Sequence, residues 1–587
     1  MNDTWDLSVL YTGFDDPAYA ADLAALDAAI ADFRQLAANA ASMPAAALVR
    51  AFIGIYERMA VYEGKLSIYA NLRFSGNTSD AEAVSMAGRL MDKLSATAAD
   101  DAVLRAAIAG AEGLDDVIRD PAMSEYRYML ESIRDDARYL LSDKEENVLA
   151  RMNISGAAAW SDLQSSLTSS VTADYNGEKI TLSAVRNLAY DADPAVRRAA
   201  YDAELACYEP IKEAVAFALN SIKLQVINEC ALRGYESPLD QALKSARMKR
   251  TTLDALLGAM QEYLPSFWKY LRAKAKYLGY EGGLPWWELF APIGKNDKKF
   301  TTADARDYLL NIFKGFDGQL HDMVKTAFNE GWIDFFPRAG KVGGAFDCGV
   351  PAVKQSRVLT NFDGSFSDVV TLAHELGHVF HDQQVFSHSP VTQDYSMPVA
   401  ETASTFNEVL VVSTAIKETD DSDRETRLAL IESQLSDAAQ IICDIYSRYL
   451  FETSVFENRS QEFMNAERLC GLMTEAQKAA YGDGLDESTL HPYMWLCKSH
   501  YYSGELSFYN FPYAFGGLFA RGLYAKYEKE GAAFVPVYKN MLNATSVTDV
   551  EDCARIAGID LGDKAFWEAG LQSLADEIDE FCKLVEA

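Results

Sequence analysis

Apolar residues recur at helical spacing along most of this chain. Between residues 17 and 40, Leu23, Leu26, Ala29, Ile30 and Phe33 fall three or four apart among Ala and Asp, which predicts an amphipathic helix. Pro44 opens a second helical stretch, at a position where its missing N–H does no harm. Asn77 and Thr78 predict a turn before Asp80 starts the next helix. The run from Ser142 to Glu145 reads as a capping box for a helix extending through Met152. Asn176-Gly177, between short strand-like segments, predicts a hairpin. Helices resume at Ser183 and after Pro194 and dominate to about residue 280. Gly282–Pro292, with Trp286 beside Trp287, breaks the pattern.

The period changes at residues 335–362. Gly340, Gly343, Gly344 and Gly349 make a turn-rich segment, and Ser356–Phe362 has the β-branched content of a strand. Asp363-Gly364 turns the chain, and Ser365 or Ser367 can cap a following helix. A strand placed there can pair with an extended peptide through its main chain. Val358, Thr360, Asn361 and the flexible Gly344 are the candidate substrate contacts. An edge strand blunted by packing is the competing reading.

The helix after that turn carries His374-Glu375-Leu376-Gly377-His378, an HExxH motif. Residues four apart share a helical face about 6 Å apart along the axis, so both imidazoles can reach one tetrahedral Zn²⁺. Glu375 is rotated about 100° away, where it can take a proton from water that the metal makes acidic. Chance occurrence of the motif in a chain of this length is on the order of one in a hundred. Of the seven histidines, four lie between 374 and 388.

Zinc requires a third protein ligand, and two residues compete. His381 shares the face, but on an unbroken helix it sits about 10 Å from His374 along the axis. That distance assigns it to lining or to the surroundings of the ligands. Glu401 opens a new helical run, VAETASTFNEVL, after a loop with two prolines at 387–398. A returning helix can bring Glu401 to the metal and leave Glu408, seven residues on, to hydrogen-bond a ligand histidine. A first-turn acid facing solvent is the plain alternative for Glu401.

Length and charge narrow the setting. With 587 residues, the chain is long enough for at least two lobes. The formal charge of −32 makes nucleic acid and anionic membranes unfavourable partners. The eight cysteines are scattered, without a CxxC pair, as expected of reduced thiols in a cytoplasm. The start of the chain shows no signal-peptide pattern and no window is apolar enough to span a bilayer, so a soluble cytoplasmic protein is expected.

TLAHELGHVFH followed by AETASTFNE resembles the thimet-oligopeptidase-like metallopeptidases, and within them the oligoendopeptidase F family. WDLSVLY (Trp5–Tyr11), the stretch Leu141–Trp160, RGYESPLD (Arg233–Asp240), KVGGAFDCG (Lys341–Gly349) and AGIDLGDKAFW (Ala557–Trp567) agree with it. The resemblance covers nearly the whole chain. It implies a mainly α fold: a two-lobed helical clamshell with a deep central channel and a small β-sheet near the zinc helix. It implies one Zn²⁺ per chain on His374, His378 and Glu401, with Glu375 as general base. It also implies short peptides as substrates, cut at internal bonds; a monomer or small homo-oligomer is expected.

A family His/Tyr segment facing the zinc corresponds to residues 500–517, with His500, Tyr509 and Tyr513 as candidates to stabilise the oxyanion. The sequence departs from the family pattern there, at Phe511 and Pro512. Without the resemblance this stretch reads as an aromatic core stripe. Expected domain limits are 1–110 for an N-terminal helical lobe, 111–190 for its extension with the hairpin, and 191–587 for the catalytic domain. Two rival functions remain at this stage: a related zinc carboxypeptidase or dipeptidyl carboxypeptidase, and an inactive helical peptide-binding protein.

Overall fold

The computed structural model describes residues 3–420 and 422–586. It is 73% helical, as the periodicity predicts. The first helix is Pro17–Asn39, capped by the Asp16 carboxylate, which accepts from the Ala18 N–H. Pro44 is the N-cap of Ala45–Gly76, and Asp80 caps Ala81–Ser95 by accepting from the Ala83 N–H. The helix starting after Ser142 runs to Ser155, and the Glu145 carboxylate accepts from the Ser142 N–H at 2.9 Å.

Strands β1 (Thr172–Tyr175) and β2 (Glu178–Thr181) form an antiparallel hairpin. Asn176 and Gly177 both take positive φ at its turn, the type I′ geometry those residues favour. Strands β3 (Ile333–Asp334), β4 (Phe346–Val350) and β5 (Gln355–Leu359) form a second sheet in the order β3-β5-β4.

That order corrects one expectation. Val358 lies on the central strand, paired with Ile333 on one side and Asp347 on the other. The N–H groups of Val358, Thr360 and Phe362 donate to Trp332, Asp334 and Phe335 carbonyls at 2.8–2.9 Å. Val358 and Thr360 are buried, and Val358 already has a strand on each side. Among the described residues β5 is flanked by β3 and β4, the two edge strands of this sheet.

The chain forms two compact units, each built from interleaved segments. The first draws on the chain up to Arg138, on Asp297–Val411 and on Lys526–Gly558. Its core joins Leu26, Ile30 and Phe33 of the first helix to Leu48, Val49 and Phe52 of the second. Burying each such side chain stabilises the unit by about 1.5–3 kcal/mol. The second draws on Tyr139–Asn296, on Val412–Ala525 and on the chain from Ile559. Its core includes Leu219, Ile222, Phe451, Val455, Trp495 and Tyr502. The buried Lys223–Glu452 and Lys274–Glu432 pairs also lie there. The expected limits near 110 and 190 divide the chain along its sequence, whereas these units interleave. No described helix is long and apolar enough to cross a membrane, and all eight cysteines are unpaired.

Candidate metal centre

The motif helix spans Phe366–Val385. Ser365 caps it: the Ser365 hydroxyl accepts from the Asp368 N–H, and the Asp368 carboxylate accepts from the Ser365 N–H at 2.9 Å. Val369, Leu372, Ala373, Leu376, Val379 and Phe380 are buried. That anchoring leaves His374 and His378 partly accessible, with side-chain exposures of 24% and 19%.

The chain returns through a loop to a short helix, Met397–Ala400, and then Thr402–Glu418. Glu401 sits at the junction. The two helices cross closely at Gly377: a Cβ there would lie 2.5 Å from the Ala403 carbonyl oxygen and 2.5 Å from Ser404 Cα. Only a glycine between the two histidines permits that approach. Asn407 Nδ2 fastens the crossing by donating to the Ala373 carbonyl at 3.1 Å.

Three ligand atoms converge as a result. His374 Nε2 and His378 Nε2 are 3.2 Å apart, and Glu401 Oε2 is 3.3 Å from the first and 3.5 Å from the second. At Zn–N of ~2.0–2.1 Å and Zn–O of ~2.0–2.2 Å, ligand atoms of a tetrahedral site lie about 3.3–3.5 Å apart. The donor set and its spacing both fit zinc, and these three form a group among the described residues that could hold a metal ion.

The surrounding bonds orient these ligands. Glu408 Oε1 lies 2.8 Å from His374 Nδ1, which turns Nε2 inward. Ser404 Oγ donates to Glu401 Oε2 at 2.8 Å. Burial opposes charge on His374, but Glu408 outweighs it and raises the pKa to about 9. Burial, together with the charge on His374, lowers His378 to about 4. The two facing Nε2 atoms can share at most one proton, a conflict that a divalent cation removes.

Glu375 is 6% exposed. Burial raises its pKa to about 7, with Glu401 and Glu408 adding to the effect and His374 opposing it. The Asp347 N–H of β4 hydrogen-bonds its carboxylate. Behind that contact, burial and the neighbouring Asp382 hold the Asp347 carboxyl well above the usual range. Asp382 is itself raised to about 6 by burial and accepts from Ser356 Oγ at 2.8 Å.

His381 lies off the point of convergence. It is fully buried, its Nε2 is 2.8 Å from Thr545 Oγ1, and its ring stacks on Tyr395 at 4.2 Å. Asn361 Nδ2 donates to the carbonyls of Val342 and Gly344, pinning the glycine loop. Gly344 has φ of +79° and open space where a Cβ would stand. His500, Tyr509 and Tyr513 belong to the other unit. Their rings gather there, with centroids 5.0 Å apart for His500–Tyr509, 6.2 Å for His500–Tyr513 and 5.5 Å for Tyr509–Tyr513. All three are half-buried, between the buried Tyr501, Tyr502, Phe508 and Phe511.

Sequence reading missed Ser404, Asn407 and the Asp347–Asp382 pair. Ser404 and Asn407 follow Glu401 by three and six residues, a helical spacing that could have drawn notice. It also missed the staple on the loop between the ligand helices. His388 there faces Glu125 through Nδ1 at 3.1 Å and the Asn543 carbonyl through Nε2 at 2.9 Å.

The family model described as "Peptidase family M3" matches residues 187–573. The chain belongs to that family. A second model, "Oligopeptidase F", matches residues 109–172 of this M3 family member. Oligoendopeptidase F (chromosomal) of Lactococcus lactis subsp. cremoris is 27% identical over 382 residues, 65% of this chain and 62% of the relative. The chain therefore spans about three-fifths of that relative's length. Oligopeptidase PepF of Bacillus subtilis is 24% identical over 469 residues, 78% of this chain and 69% of the relative. Among solved structures, a chain from Chlamydophila abortus superposes with a TM-score of 0.85 at 21% identity, covering 99% of this chain and 98% of that one. Oligoendopeptidase-F from Enterococcus faecium gives 0.68 at 18% identity, with 96% and 97% covered. These likenesses carry the mainly helical fold.

Proposed function

We propose that this protein is a zinc metalloendopeptidase that hydrolyses internal bonds of short oligopeptides. The observation that carries the reading is the convergence of His374 Nε2, His378 Nε2 and Glu401 Oε2 beside the buried carboxylate of Glu375. Membership of an M3 peptidase family, and relatives named oligoendopeptidase F, support it.

A zinc ion on those three ligands would supply Lewis acidity, polarising a peptide carbonyl and bringing the pKa of water toward ~7. Glu375 then takes the proton of the attacking water and hands it to the leaving amine, since a carboxylate poised near neutrality can both accept and donate. Glu408 holds His374 in the tautomer that presents Nε2. The edge strand β4 offers main-chain groups to an extended substrate, in place of the central strand. The family resemblance implies an oxyanion donor among His500, Tyr509 and Tyr513. That role rests on the family resemblance and on the gathering of three half-buried rings.

The deciding experiment joins metal analysis to product mapping. The purified protein should carry one zinc per chain and cut a peptide mixture at internal bonds, and Glu401→Ala should lose most of its zinc on dialysis. Full zinc in that variant would remove Glu401 from the ligand set. Products shortened only from the carboxyl end would make the protein a carboxypeptidase instead.

A further inference from the structure

The second unit holds a cavity of about 290 Å³ whose lining residues all belong to that unit. Aromatic side chains form much of its wall, among them Tyr201, Trp286, Trp287, Phe290 and Tyr481. Charged groups enter it as well, and most are already matched. Arg197 binds Glu288 and the carbonyls of Asp191 and Ala192. Asp444 is paired with Arg448. Glu204 Oε1 accepts from Arg186 Nη1 and from the Tyr208 hydroxyl, each at 2.8 Å.

Three groups on its wall are left without a hydrogen bond: the His491 ring, the Trp287 indole Nε1 and the Lys498 ammonium. His491 is fully buried and lines the cavity. Its Nε2 lies 3.3 Å from Glu204 Oε1, and neither ring nitrogen makes a hydrogen bond. Burial opposes charge on Glu204, but His491 and Arg186 outweigh burial and lower its pKa to about 2. With Nε2 turned to that carboxylate, Nδ1 is the ring nitrogen left to meet an occupant of the cavity. Lys498 lines the same cavity, and its ammonium makes no hydrogen bond to a described residue. Burial pushes its pKa down against the pull of the nearby Asp444, whose carboxylate is bonded to Arg448.

An occupant that completes this inventory brings a carboxylate to Lys498, an N–H donor to His491 Nδ1 and a flat apolar body to the indole walls. We propose that the cavity binds a zwitterion with an aromatic side chain, either a free aromatic amino acid or a dipeptide containing one. Its carboxylate would rest on Lys498, its ammonium would donate to His491, and its ring would lie against Trp286 and Trp287. The proposal stands on the second unit alone and does not depend on the peptidase reading.

Isothermal titration calorimetry on the intact protein tests it. L-Tryptophan and alanyl-tryptophan are the probes, and the stronger of the two identifies the class. One binding event per chain is expected. Tryptamine, which lacks the carboxylate, indole-3-propionate, which lacks the ammonium, and L-alanine, which lacks the ring, should each bind at least about tenfold more weakly. Lys498→Met should weaken the probe about tenfold or more and erase its advantage over tryptamine. His374→Ala, which removes a metal ligand, should leave the binding in place. No heat from either probe at about 10 mM overturns the proposal, as does tryptamine binding as well as tryptophan. Loss of binding in His374→Ala overturns it too, by locating the event at the metal centre. The ligand series needs no variant, so the test stands even if Lys498→Met fails to fold.

Discussion

The metal centre and the cavity of the second unit both hold charge out of water, and they do so in opposite ways. At the metal centre two imidazole nitrogens and a carboxylate oxygen converge, 3.2–3.5 Å from each other. Three ligand atoms gathered so closely suit a cation. In the cavity the charges are mostly consumed by internal pairs such as Arg197–Glu288 and Asp444–Arg448. What is left is one ammonium, one imidazole and one indole N–H, which suit an organic ligand with separated charges. The contrast teaches that burial of charge alone does not mark a site. The unspent donors and acceptors mark it, and their arrangement names the occupant.

Substitutions can break or sharpen this contrast. Glu375→Gln keeps the shape and removes the base, so peptide hydrolysis should fall by about 10²–10⁴ while zinc content stays at one per chain. Unaltered turnover would mean that the buried acid beside the ligands is structural. Tyr513→Phe should lower kcat by about 10²–10³ and change KM less, as loss of an oxyanion donor does. If kcat holds, the role passes to Tyr509 or His500. Glu408→Gln weakens the bond that orients His374 and should reduce zinc affinity by about 10–100-fold, measured by competition with a chelator. Affinity equal to the parent would show that packing alone aims the ring. Gly377→Ala is the mildest change. Its methyl meets backbone of the returning helix at 2.5 Å, which should cost about 1–3 kcal/mol and lower Tm. A Tm at or above the parent value would show that the helices separate freely.

Much of this was legible beforehand because it is local. The helix starts at Pro17, Ala45 and Ala81 follow from caps and proline positions within a few residues. The Asn176-Gly177 hairpin follows from two residues that tolerate positive φ. His374 and His378 face one point because residues four apart on a helix must share a face. The strand at 355–359 was also legible from its β-branched content, but its neighbours were not. Sheet order depends on which distant segments dock, and β3 and β4 close both sides of a strand that alternation alone could equally place at an edge.

The amino-acid sequence by itself determined the helical class, the two imidazoles of the motif and the acid between them, since each follows from bond geometry within one or two turns. Tertiary structure decided that Glu401, one of two candidates from the sequence, comes close to both imidazoles, that Gly377 lets the helices meet, and that β5 lies between β3 and β4. It alone also brought His491 and Lys498 into one cavity. Those outcomes join residues far apart in the chain, and their placement is fixed by packing.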